Sequence, residues 1–430
     1  MDEKITKTTL DNGLTVFLKE IHTAPLISSW LWYRVGSRDE VPGKTGVSHW
    51  VEHMQFKGTP RFPANILDKA ISREGGVWNA TTSNDWTNYY ETMPADKFDL
   101  ALQLEADRMV NSVFDPEEVA SERTVIISER EGSENRPSYR LFEAVQAAAF
   151  RVHPYHHMVI GDKADLRTMT RDDLYNHYQT YYKPNNAVLG LAGDFDTAEM
   201  LGRIEELFGG IKRGDDPQRL QRPEPEPSGH LRLTLEGEGE TTYIQVGYRV
   251  PSAAHPDHFP LTVLDSLLAG ASNPNRYGGG ISNKTSRLYR ALIENEWAVG
   301  MSAGASLKID PSLYSIVMIP RPEHDPDTVI AVLDEELARV RDELVSEAEV
   351  ARALKQARAI FAYGSESITN QAFWLGYSEM FADYDWFLTY LDKLAAVTPE
   401  DVQRVARKYF QPNKRVIGIY LPQGTEVDNE

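Results

Sequence analysis

The chain has 430 residues, 41% of them hydrophobic and 25% charged; that is enough apolar material for two or three ordinary cores, yet no apolar run is long enough to span a bilayer. With 64 acidic against 45 basic residues the net charge is −19, which argues against a nucleic-acid binder and leaves a field that attracts basic peptides. Zero cysteines exclude disulfides and thiolate ligands, so any metal must be held by His, Asp or Glu.

The opening residues, MDEKITKTTLDNG, are polar and lack the apolar centre of a secretory leader, so the expected location is cytoplasmic. "LDNGLTVFLKE" then reads as a strand entered from an Asn-Gly turn. Residues 46 to 60, "GVSHWVEHMQFKGTP", read as a helix carrying His49, Glu52 and His53. The stretch from Asp115, "DPEEVASERTVIISEREGSE", is a second helix, with Asp as cap, Pro at the first helical position and acids in the first turn. "HPYHHMVIGD", from His153, crowds three histidines together but reads better as a structural turn than as a second metal site.

Next comes one member of an internal repeat. "MTRDDLYNHYQTYYKPNNAVLGLAG" from Met169 matches "VTPEDVQRVARKYFQPNKRVIGIYL" from Val397, with Thr170/Thr398, Asp173/Asp401, Tyr181/Tyr409, Pro184/Pro412 and Asn185/Asn413 all 228 residues apart. Each copy reads as a Thr-capped amphipathic helix, a Pro-Asn turn and a β-branched strand. "WYRVGSRDE" from Trp32 and "GYRVPSAAH" from Gly247 are a fainter echo. Between the copies, residues 212–230 hold four prolines among charges and mark a stiff linker. Further on, "GGGISNKT" from Gly278 fails as a phosphate loop, because Asn283 stands where the glycine before Lys284 must be. The acidic tail "GTEVDNE" reads as a frayed end. The expected fold class is α+β: two homologous α/β sandwich domains in tandem, 1–211 and 231–430, joined by the proline-rich linker 212–230.

The chemistry lies in "HWVEH", residues 49 to 53. At about 100° per residue, His49, Glu52 and His53 share an arc of about 100° on a helix. Two imidazoles one turn apart can bite one tetrahedral zinc, and the glutamate between them can reach a water on the metal without being a ligand. The order His-x-x-Glu-His inverts the commoner His-Glu-x-x-His. A helix that merely displays two surface histidines is the competing reading until a third ligand is found. Glu122 and Glu129, two turns apart on one helix face, are both candidates, and helix geometry does not choose between them.

"GVSHWVEHMQFKGTP" closely resembles the signature of the pitrilysin-type (M16, inverzincin) zinc peptidases, and "VGSRDE", "WNATTSNDWTNYYETMP" and "YYKPNNAVLGLAGDFD" extend the resemblance across the first half. In that family the third ligand is a glutamate about 76 residues after the second histidine, which is the separation of Glu129 from His53. The resemblance therefore implies one Zn2+ per chain on His49, His53 and Glu129, with Glu52 as general base and Glu122 supporting a ligand from behind. It also implies that Asn79, Ala80 and Thr81 belong to an edge strand to which substrate peptide adds as a further strand. Trp50 departs from the smaller aromatic that relatives carry.

The second half departs more. Where two-domain relatives supply an arginine and a tyrosine to orient substrate, "ALIENEWAVGMSAG" has Ile293 and Gly300, with Tyr289 and Arg290 as possible substitutes if the alignment slips. Since large relatives close four such domains around substrate like a clamshell, the resemblance implies half of such an assembly. The expected partner is a homologous two-domain subunit supplying the arginine and tyrosine, as in the mitochondrial processing peptidase; a homodimer is the runner-up. The expected function is a zinc-dependent endopeptidase acting on unfolded peptides. The alternative is a non-catalytic homologue that holds peptide or serves as scaffold, and no membrane or nucleic-acid partner is expected.

Overall fold

Alternating apolar residues in the first half gather into one sheet. Its strands are β1 (Ile5–Thr9), β2 (Thr15–Glu20), β3 (Leu26–Tyr33), β4 (Val77–Thr82), β5 (Thr87–Pro94) and β6 (Ala187–Gly193), in the order β1-β2-β6-β3-β5-β4. All neighbours run antiparallel except β2 and β6. This computed structural model describes residues 5–273 and 284–423, so the glycine-rich stretch 278–283 and the tail 424–430 lie outside the described residues.

A second sheet comprises β7 (Leu231–Glu238), β8 (Tyr243–Val250), β9 (Ala298–Ala305), β10 (Ser312–Pro320) and β11 (Arg415–Gln423), in the order β7-β11-β8-β10-β9. Here β7 and β11 are parallel and the other pairs antiparallel. With β1 set aside, both sheets take their strands in the same sequence of chain positions and directions. The tandem repeat is thus a repeat of topology, and the α+β class with two α/β domains holds.

The repeated helices are built alike. Thr170 and Thr398 cap helices Arg171–Tyr181 and Pro399–Tyr409, their hydroxyls accepting the N–H of Asp173 and Asp401 at 3.3 and 3.2 Å. Each aspartate reaches back to its cap residue's N–H, so two orphan donors are satisfied at once.

Two compact units result, each assembled from separate segments: Met1–Arg130, His157–Arg222 and Glu366–Phe387 in one, Glu131–His156, Pro223–Ser365 and Leu388–Glu430 in the other. Residues 212–230 carry no helix or strand, and the break at Arg222 falls within them. Two segments depart from a division into uninterrupted halves. Helix Pro137–Ala149, from the first half, lays Leu141 and Val145 against Leu313, Val416 and Tyr420 of the second sheet. Helix Ile368–Tyr377, from the second half, packs on β3 and β6 of the first.

That exchange explains why β3 is buried from Ile27 to Tyr33. Ile27, Leu31 and Tyr33 join the main apolar core. Trp30 and Trp32 face the other way, where Phe373 meets their rings edge-on at 5.1 and 5.3 Å between centroids. No described helix is long and apolar enough to cross a membrane.

Two glycines make a test of this packing. A Cβ on Gly376 would lie 2.2 Å from Cδ1 of the fully buried Trp32, whereas one on Gly202, in helix Thr197–Phe208, meets nothing within 4 Å. Gly202→Ala should stabilise by about 0.5–1 kcal/mol through helix propensity. Gly376→Ala should destabilise by about 1–3 kcal/mol through overpacking, both being read from urea unfolding.

Candidate metal centre

The site begins at Gly46. Its φ is +89°, and a Cβ there would lie 2.4 Å from the Ile160 carbonyl oxygen, so a side chain is excluded twice over. Helix Val47–Met54 follows, with no side-chain cap of its own. Glu40 takes that role from a distance: its carboxylate accepts the N–H groups of Gly46 and Ser48 at 2.8 and 2.9 Å. Burial pushes the Glu40 carboxyl up to about 8, against the pull of those bonds. Trp50, Val51 and Met54 then fix the apolar side of the helix in the core.

The opposite side carries the two histidines, their ring centroids 4.6 Å apart. Nε2 of His49 and Nε2 of His53 lie 3.9 and 3.8 Å from the Glu129 carboxylate. Glu129 stands on helix Pro116–Glu134, whose first turn is capped by Asp115, accepting the N–H of Glu117 at 2.8 Å. One ligand atom from each of the three residues lies within 4.8 Å of the other two, and no other trio of this kind occurs among the described residues. Tetrahedral ligands on bonds of about 2.1 Å stand about 3.4 Å apart, so this donor set fits a zinc ion with little adjustment. Burial, and then the neighbouring His53, pull His49 down to about 3, which keeps it the neutral imidazole a metal requires.

Glu122 faces the back of the site. It accepts from Nδ1 of His53 at 2.8 Å, which leaves Nε2 of that ring with its lone pair. Lys57 binds the other Glu122 oxygen. Burial pulls the Glu122 carboxyl upward, but the bonds from Lys57 and His53 outweigh it and hold it below the ordinary value. The two glutamates that helix geometry left equivalent thus face different nitrogens: Glu129 both Nε2 atoms, Glu122 only Nδ1 of His53.

Glu52 is buried and accepts from the Thr82 hydroxyl at 2.6 Å. Burial raises its pKa, with the Thr82 bond opposing. It lines a cavity of about 540 Å³ together with His53, Phe56, Lys57, Asn79 and Glu122. Asn79, Ala80 and Thr81 lie on β4, at one edge of the first sheet. Of the three, Asn79 reaches the cavity, and its side-chain carbonyl also accepts the Ala80 N–H at 2.8 Å.

Sequence reasoning missed Glu40, Lys57 and Thr82 as parts of this arrangement. Glu40 and Thr82 lie within or beside the quoted family segments, but only folding brings them to the helix. Elsewhere, His153 is tied at Nε2 to Asp310 (3.0 Å) and at Nδ1 to the Tyr155 N–H (3.1 Å), while His156 Nδ1 meets the His153 carbonyl, as befits a turn. Ile293 sits in the helical turn Tyr289–Glu294 and Gly300 on β9.

Comparison with known proteins gives the chain's family. Residues 15–163 match the family model described as Insulinase (Peptidase family M16), and residues 168–357 match the M16 inactive domain. The chain is 31% identical to a zinc protease of Mycobacterium tuberculosis over 408 residues, covering 93% of this chain and 90% of the relative. The chain belongs to the M16, pitrilysin-type peptidase family. Another M16 relative is the mitochondrial-processing peptidase subunit beta of Blastocladiella emersonii, 26% identical over 94% of this chain and 85% of that protein. The crystal structure of a protease from Helicobacter pylori superposes with a TM-score of 0.90 at 27% identity, covering 98% of this chain and all of that one.

The Glu40 cap gives a stability test. Glu40→Gln can accept only one of the two N–H groups and should cost about 1–3 kcal/mol in chemical unfolding, the penalty of a buried donor left unpaired.

Proposed function

We propose that this M16 chain is a zinc-dependent endopeptidase that cuts unfolded peptides, with one Zn2+ held by His49, His53 and Glu129. The observation that carries the reading is the meeting of two imidazoles and a carboxylate beside a separate buried carboxylate, Glu52. A purely structural site would fill its fourth position with a protein ligand, and among the described residues no fourth His, Asp or Glu joins this trio. When bound, zinc supplies a Lewis acid that acidifies water and polarises a carbonyl.

The chain's own residues supply the rest. Glu52 takes a proton from the attacking water and delivers it to the leaving amine nitrogen. Its desolvated position raises its proton affinity, and the Thr82 hydroxyl holds one of its oxygens in place. Asn79, Ala80 and Thr81 offer the open edge of β4 to the substrate backbone, with Asn79 giving up its hold on the Ala80 N–H as peptide pairs there. Main-chain pairing of this kind favours extended, unfolded segments.

Ile293 and Gly300 have no side-chain donor for an oxyanion. We therefore assign the missing arginine and tyrosine to a second, homologous two-domain chain, making this one the catalytic subunit of a heterodimer. The scaffold alternative draws on the inactive-domain match, but that match begins at residue 168, beyond all the candidate site residues of the first half.

Zinc content and cleavage of a quenched basic peptide, recorded in parallel, test the reading. Glu52→Gln should keep stoichiometric zinc and lose turnover by a factor of about 10² to 10⁴; retained turnover would remove Glu52 from its role. Glu129→Gln should lose zinc, while Glu122→Gln should keep it with affinity reduced about 10- to 100-fold. Activity that appears only when the homologous chain is added supports the heterodimer, and full activity from the chain alone refutes it.

A further inference from the structure

The far side of Glu122 holds a residue to which neither the motif nor the family match gives a role. Lys57 lies four residues beyond His53, where helix Val47–Met54 has ended, and its ammonium group binds the Glu122 oxygen that His53 does not use. It is also 3.5 Å from Glu118, one turn earlier on helix Pro116–Glu134. The Glu122 side chain is 8% exposed, whereas Glu118 is half exposed.

A carboxylate held at one oxygen can turn about its terminal bond. Held at both, it presents a fixed acceptor. Lys57 therefore ties the helix that carries Glu129 to the end of the helix that carries His49 and His53. We infer that Lys57 is a positioning residue of the metal centre: it locks Glu122 in the orientation that holds His53 with its proton on Nδ1 and its Nε2 open to zinc. This inference rests on the zinc reading above.

The carboxylates that pair with the lysine are Glu122 and Glu118, and of these Glu122 is the one bonded to a histidine of the site, so the inferred influence passes through Glu122. The effect is then non-additive with loss of Glu122, which a general structural role would not produce.

The test measures zinc affinity of the full chain by chelator competition, with Co2+ absorption as a second readout and circular dichroism as the fold control. Lys57→Met should weaken zinc binding about 10-fold and alter the Co2+ spectrum, and Lys57→Arg should restore both. In a Glu122→Gln background, Lys57→Met should change affinity less than about two-fold, as a shared pathway requires. Unchanged affinity in folded Lys57→Met, or a full additional loss in the double variant, would overturn the inference. A Glu118→Gln variant that matched the loss of Lys57→Met would overturn it too, by moving the effect to the exposed carboxylate. Failure of the unaltered chain to bind zinc would instead overturn the zinc reading, and this inference with it.

Discussion

Helix Val47–Met54 is barely two turns long, too short to hold itself in water, so everything at the site depends on what grips it from outside. Three grips are visible. Glu40 receives its first N–H groups, Trp50 and its neighbours bury one side, and the Lys57–Glu122 pair binds its far end to the helix that carries Glu129. The donor set His49, His53 and Glu129 is assembled from two helices, and its spacing is set by these grips rather than by the motif alone.

Burial then divides the labour among carboxylates. Glu52 and Glu122 are both withdrawn from solvent, yet one is held by a neutral hydroxyl and the other by a cation and an imidazole. Desolvation raises the first, while charge partners win at the second. Two glutamates on neighbouring helices are thereby shifted in opposite directions from the ordinary carboxyl value.

The second unit repeats the topology, and among its described residues no His, Asp and Glu trio of the metal-holding kind occurs. After β8, in the place in chain order that Val47–Met54 occupies after β3, helix His258–Leu268 reads HFPLTVLDSLL and is buried along nearly its whole length. Its polar groups serve the core: Asp265 accepts from the Tyr314 and Ser272 hydroxyls, both at 2.7 Å.

By itself the sequence determined the elements that obey local rules. Thr170 and Thr398 cap because a hydroxyl three residues before an aspartate accepts that residue's N–H while the aspartate accepts the cap's own, and the repeat that follows is legible for the same reason. His49, Glu52 and His53 share a face because helical geometry gives them no alternative. Glu122 and Glu129 were equivalent by that rule; family spacing favoured Glu129, and folding turned the two toward different imidazole nitrogens. The sequence read as two contiguous halves, and the exchange of segments between them was not legible, since an amphipathic helix states that something apolar will cover it but not which sheet. Only the tertiary structure sent helices Pro137–Ala149 and Ile368–Tyr377 to opposite sheets, and only it brought Glu40 and Thr82 to the motif helix and Glu122 to Lys57, because those contacts join residues or elements whose pairing no periodicity encodes.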